Sequence, residues 1–113
     1  MEFINKVQIR GIVGRTNVLT YSDKTFVRIS VVTNYVHPDN TIETTWFNVL
    51  AVQDSQNPTK DKSFDLTSIK KGDIIEVYGR LRPMHYTTAD GTEHNTYDIK
   101  ANDIKLNDKL WQK

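Results

Sequence analysis

The sequence predicts a mainly β domain, and three observations predict it. Apolar residues recur with period two, the segments where they do so are rich in β-branched and aromatic residues, and the stretches between them carry turn chemistry. Lys6-Val7-Gln8-Ile9-Arg10 alternates polar and apolar before reaching Gly11 and Gly14. In the second strand Val27, Ile29, Val31 and Thr33 form one face, with Phe26, Arg28, Ser30 and Val32 on the other. Trp46 to Val52 is the third strand. In the fourth, Ile75, Val77, Gly79 and Leu81 alternate with Glu76, Tyr78, Arg80 and Arg82. Tyr97, Ile99 and Ala101 alternate with Asp98 and Lys100 in the fifth. Ser22-Asp23-Lys24 separates the first two strands, and His37-Pro38-Asp39-Asn40 is the turn between the second and third. Asp90-Gly91, between Tyr86 and Tyr97, is a hairpin signal.

One stretch reads as helical. Ser63 is placed to cap a short helix over Phe64 to Lys71, with Asp65 in its first turn, Lys70 and Lys71 in its last, and Gly72 as its stop. The polar run Gln53 to Lys62, which contains Pro58, reads as a mobile loop. Three strands, a short helix between strands 3 and 4, and two more strands is the order of an OB-fold, a five-stranded Greek-key barrel that is partly open. An SH3-like barrel rarely carries a helix at that point.

The chain has 113 residues, which fits one domain. Residues 1–106 are assigned to it and 107–113 to a short C-terminal tail. There is no cysteine, so neither a disulfide framework nor a thiolate metal site is expected. No apolar run has the length of a membrane span or of a signal-peptide core, so a cytoplasmic protein is expected. Fifteen Lys and Arg against fourteen Asp and Glu leave a formal charge of +1. Binding of nucleic acid by bulk charge is thereby excluded, and any such binding needs a local basic face or stacking. The three histidines, His37, His85 and His94, stand in no zinc-binding spacing, and no glycine loop is built to cradle phosphate. We therefore expect no catalysis, no cofactor and no metal.

Taken in order, several segments resemble the bacterial single-stranded DNA-binding protein (SSB) family over roughly Asn5 to Leu106. They are NKVQIRGIVG from Asn5, Phe26 to Asn34, Thr45-Trp46-Phe47-Asn48-Val49, and Ile69-Lys70-Lys71-Gly72-Asp73. Val77-Tyr78-Gly79-Arg80-Leu81-Arg82 and Ile99 to Ile104 follow, on either side of Asp90-Gly91. The resemblance implies an OB-fold that coats single-stranded DNA with little sequence preference in replication, recombination or repair. It also implies a homo-oligomer, a tetramer or a dimer.

Such a ligand needs aromatic faces for its bases and cations for its phosphates. Trp46 matches the family's strand-three tryptophan, and alternation sets it opposite Phe47, Val49 and Ala51. Tyr86 stands where the family often has another tryptophan. Tyr35 and His37, at the end of the second strand, lie near a further aromatic position. Arg80 and Arg82 share an outward face, as do Lys6, Arg10 and Arg28 on their strands, and together the five suggest a phosphate track. Lys71 matches a family lysine near DNA. Asn48 replaces a residue that is often basic in the family and Val52 one that is often aromatic, so weaker binding or a shifted DNA path is expected, with Asn48 kept among the contacts. The closing residues Asp108 to Lys113 are not acidic, and no tail-mediated recruitment of repair enzymes is expected. The competing reading is an OB-fold protein-interaction module, a primosome-type accessory factor for which DNA contact is secondary.

Overall fold

Alternation along each strand buries one row of side chains: Val27, Ile29 and Val31 are buried, whereas Arg28 between them is exposed. The computed structural model describes residues 1–54 and 64–112. Among the described residues there are six strands: β1 (Val7–Tyr21), β2 (Lys24–Val36), β3 (Ile42–Asp54), β4 (Ile74–Thr87), β5 (Glu93–Leu106) and β6 (Lys109–Gln112). They hydrogen-bond in the order β3-β2-β1-β4-β5-β6. A short parallel pairing of β3 with β5, at Val49↔Ile99 and Leu50↔Lys100, closes β1 to β5 into a ring. This is the OB-fold expected from the order of elements. The core holds, among others, Val13, Ile29, Val49, Ile75, Val77 and Ile104.

Two irregularities keep the rows aligned where the strands bend. Val13 faces Val31 but Arg15 faces Ser30, so Gly14 is an extra residue in β1. Tyr78 faces Asp103 but Gly79 faces Ala101, so Asn102 is extra in β5. Each bulge reverses the parity of the residues beyond it.

The expected helix over Phe64–Lys71 is instead a single 3₁₀ turn, Leu66–Ser68, and Ser63 lies outside the described residues. Asp65 caps it, accepting from Thr67 N at 2.9 Å and from Gln53 Nε2 at 2.6 Å. Ile69 returns to extended backbone at once. The reason lies in the packing. Phe64, Leu66 and Ile69 are all buried against the barrel, and a helical spacing of 3.6 residues would not turn all three to one side. Gly72 closes a turn at φ +94° rather than ending a helix. Of the loop expected over Gln53–Lys62, Gln53 and Asp54 belong to β3, and residues 55–62 lie outside the described residues.

The segment assigned to a tail is also corrected. Asn107, at φ 58°, turns the chain so that Lys109–Gln112 pairs with β5, Trp111 opposite Ile104. Trp111 is fully buried in the core cluster, 0 % exposed. An aromatic ring of that size supplies the hydrophobic burial that holds a four-residue strand in place.

Candidate nucleic-acid interface

The outer row of β2 and β3 sets Arg28 opposite Leu50, Ser30 opposite Asn48 and Val32 opposite Trp46. The Gly14 bulge turns β1 so that Arg15 and Asn17 meet Ser30 and Arg28 on this same face. Gly14 also has a steric role. A Cβ there would run into Cζ3 and Cη2 of Trp46, so the indole's six-membered ring lies directly over the glycine. Trp46 is 60 % exposed, on a shallow depression of about 440 Å³ lined by Gly14, Arg15, Ser30 and Asn48. A ring seated on a sheet and open to solvent is a surface on which a base can stack.

A larger groove of about 670 Å³ adjoins it. Arg15, Arg28 and Asn48 line one side, and Met84, Tyr86 and Asp98 line the other. The second wall is the β4–β5 hairpin, which extends past the barrel as an arm. One face of this arm presents the cross-strand pairs Arg82↔Asp98, Met84↔Thr96 and Tyr86↔His94. Tyr86 stacks on His94, centroids 4.8 Å apart at 10°, and remains 49 % exposed toward the groove. At the arm's base Arg82 donates to both oxygens of Asp98, Nε at 3.0 Å and Nη2 at 2.6 Å. That pair neutralises Asp98, so the charge of the groove comes from Arg15 and Arg28. The bidentate pair thus already occupies Nε and Nη2 of the guanidinium.

A model of the single-strand binding protein family matches residues 4–107. The chain belongs to that family. Among solved structures, it is similar to a mitochondrial single-stranded DNA-binding protein of S. cerevisiae, Rim1. The TM-score is 0.60 and the identity 21 %, over 95 % of this chain and 97 % of that one, a likeness of fold. No curated protein sequence matches the chain.

The residues expected to serve a single-strand binding protein fall into separate places. Trp46, Asn48, Arg28 and Tyr86 converge on the two depressions. Tyr35 and His37 do not. They occupy the opposite face of the β2–β3 hairpin from Trp46, because unbroken alternation separates Tyr35 from Val32 by three residues. There they meet edge to face at 5.0 Å, and His37 Nε2 lies 3.3 Å from Glu43.

The five-cation track also divides. Lys6, Arg10 and Arg80 are exposed but lie outside the groove lining, although Arg80, opposite Lys100, shares the outward face of β4 with Arg82. Asn5 bonds both backbone groups of Leu81, at 2.8 and 2.9 Å. Arg10 pairs with Glu76 at 3.3 Å. Hydrogen bonds from Tyr78 and then Gln8 hold the Glu76 carboxyl below its ordinary range, so this side keeps a negative charge beside its cations. Lys71 is exposed in the turn before β4, where Gly72 N bonds Val13 O at 2.8 Å, outside the groove lining. Arg15 lines both depressions, a placement that strand alternation alone does not find, since straight alternation from Val13 would point it inward. The signal available is Gly14 itself, a glycine inside a strand pattern, which often marks a bulge.

Proposed function

We propose that single-stranded DNA crosses the outer face of β2 and β3 and continues between that face and the β4–β5 arm. Bases stack on Trp46 and on the free face of Tyr86, phosphates are met by Arg15 and Arg28, and Asn48 hydrogen-bonds between them. Membership of the single-strand binding protein family carries the ligand class: this is a protein that binds single-stranded DNA. The observation that carries the placement is Trp46, a tryptophan three-fifths exposed and seated over a glycine. It stands at the mouth of the groove that Arg15 and Arg28 line. Stacking accepts any base, so little sequence preference is expected. The near-neutral chain charge is reconciled by local placement, two cations in the groove and carboxylates such as Glu76 on the other side.

The same reading gives the protein a non-catalytic, protective role on DNA exposed in replication, recombination or repair, in the cytoplasm. Among the described residues no helix is long and apolar enough to cross a membrane. A homo-oligomer, tetramer or dimer, is part of the proposal. Its support is the outer face of β1 and β4, where Ile12 and Ile74 oppose each other in register and both are exposed.

Tryptophan fluorescence on titration with poly-dT tests the reading directly. The chain has two tryptophans, and Trp111 is buried, so quenching by DNA reports Trp46. Quenching that weakens as salt rises is the expected result. No quenching and no binding at low salt would reject it.

A further inference from the structure

Arg82 is expected from sequence to be a phosphate contact, yet its guanidinium is already engaged. Nε and Nη2 both donate to Asp98, and Nη2 also lies 3.3 Å from Met84 Sδ. With the guanidinium in place the Asp98 side chain is only 7 % exposed, so Arg82 covers most of the carboxylate. The pair sits where the arm departs from the barrel. One step inward, Leu81 faces Ile99, which is in the core; one step outward, Pro83 faces Tyr97, and both are exposed. Tyr86 stands four residues beyond Arg82 on the same face of β4.

We propose that Arg82 and Asp98 form a positioning clamp. Their bidentate pair fixes the angle at which the arm stands over the groove, and so sets Tyr86 against the DNA, while Arg82 touches no phosphate. The proposal rests on the placement of DNA in this groove. It has a consequence of unusual sign. Asp98 lines the groove, so by charge alone its removal would favour a polyanion. The clamp requires the reverse: losing the carboxylate loosens the arm and weakens binding.

The test measures oligo-dT binding by anisotropy over a salt series for the full chain and for D98N and R82K. D98N keeps the shape of the carboxylate, and R82K keeps the charge of the arginine but not its planar fork. Both are expected to weaken binding about tenfold, the worth of stacking one base. Both are expected to leave the slope of log K against log salt unchanged, where one lost phosphate contact shifts it by about 0.7. Amide exchange across residues 84–96, measured without DNA, is expected to quicken in both variants. Tighter binding by D98N overturns the clamp, and so does unchanged exchange in the arm. R82Q/D98N, which leaves no charge buried alone, stands in for any variant that does not fold; a slope reduced by about 0.7 in it makes Arg82 a phosphate contact and overturns the clamp. If the unmodified chain shows no salt-dependent binding of dT, the placement of DNA fails, and the exchange data still decide whether the pair holds the arm.

Discussion

Replacing Gly14 by alanine separates the stability of the barrel from the function proposed for its surface. The added methyl would enter the space of the Trp46 ring, meeting Cζ3 and Cη2, so the indole must swing away. The backbone has no objection, since Gly14 is not among the residues with positive φ. The cost to the fold is small. The ring is already 60 % exposed, and alanine in a strand regains about 0.5–1 kcal/mol over glycine, which offsets the packing that the indole gives up. The cost to binding is larger, because a displaced ring no longer presents its face where a base passes. Loss of part or all of one stacking interaction, about 1–3 kcal/mol, weakens oligo-dT binding about 5- to 150-fold. Thermal denaturation with fluorescence titration of the same sample measures both. Unchanged affinity in a folded G14A would show that Trp46 need not sit on this glycine to bind DNA. A collapse of the melting temperature would show that Gly14 serves the barrel rather than the seat.

Three further outcomes follow from the geometry. R15Q is expected to lower the salt slope of dT binding by about 0.7 while leaving the melting temperature unchanged; a slope equal to that of the parent would remove Arg15 from the phosphate path. W111A is expected to destabilise the fold by about 3–5 kcal/mol in urea denaturation, whereas a loss below about 1 kcal/mol would mean that β6 is dispensable to the core. At the tip of the arm, the Thr88 hydroxyl, followed by the Thr92 N–H, holds the Asp90 carboxyl down to about 2 from an ordinary 3.8. A depressed carboxylate stabilises the turn above its unfolded value, so that contribution is complete above about pH 3.8 and disappears as pH falls through about 2. NMR titration of the Asp90 carboxyl and the Thr92 amide checks it, and a midpoint near 3.8 would contradict the hydrogen-bonded turn.

Much of the candidate site was legible because strand alternation is a local rule. Trp46 had to lie opposite Phe47 and Val49, Arg28 opposite Val27 and Ile29, and the structure keeps both relations. The same rule fails where it is interrupted, at the Gly14 bulge. Arg15 reads as an inward residue unless Gly14 is counted as a bulge. Tyr35 and His37, grouped with Trp46 by the resemblance, follow unbroken alternation onto the other face of the hairpin. The helix expected over Phe64–Lys71 had good caps, but three apolar side chains needed the same barrel end, and burial outweighs local helix propensity.

By itself, then, the sequence determined the five barrel strands, most of their inward rows, the order that makes an OB-fold, and the exposed tryptophan. Each of these is set by residues within a few positions of one another. Tertiary structure alone decided which cations meet the groove and which are taken by acids. Arg10 finds Glu76 at a separation of 66 residues, and Arg82 finds Asp98 at 16, both only after the strands have paired. It also decided the fate of Trp111, which reads as a loose terminal aromatic until β5 offers it an edge to pair with and a core to fill. Charge and burial depend on neighbours in space, and the closing of the barrel is what assigns those neighbours.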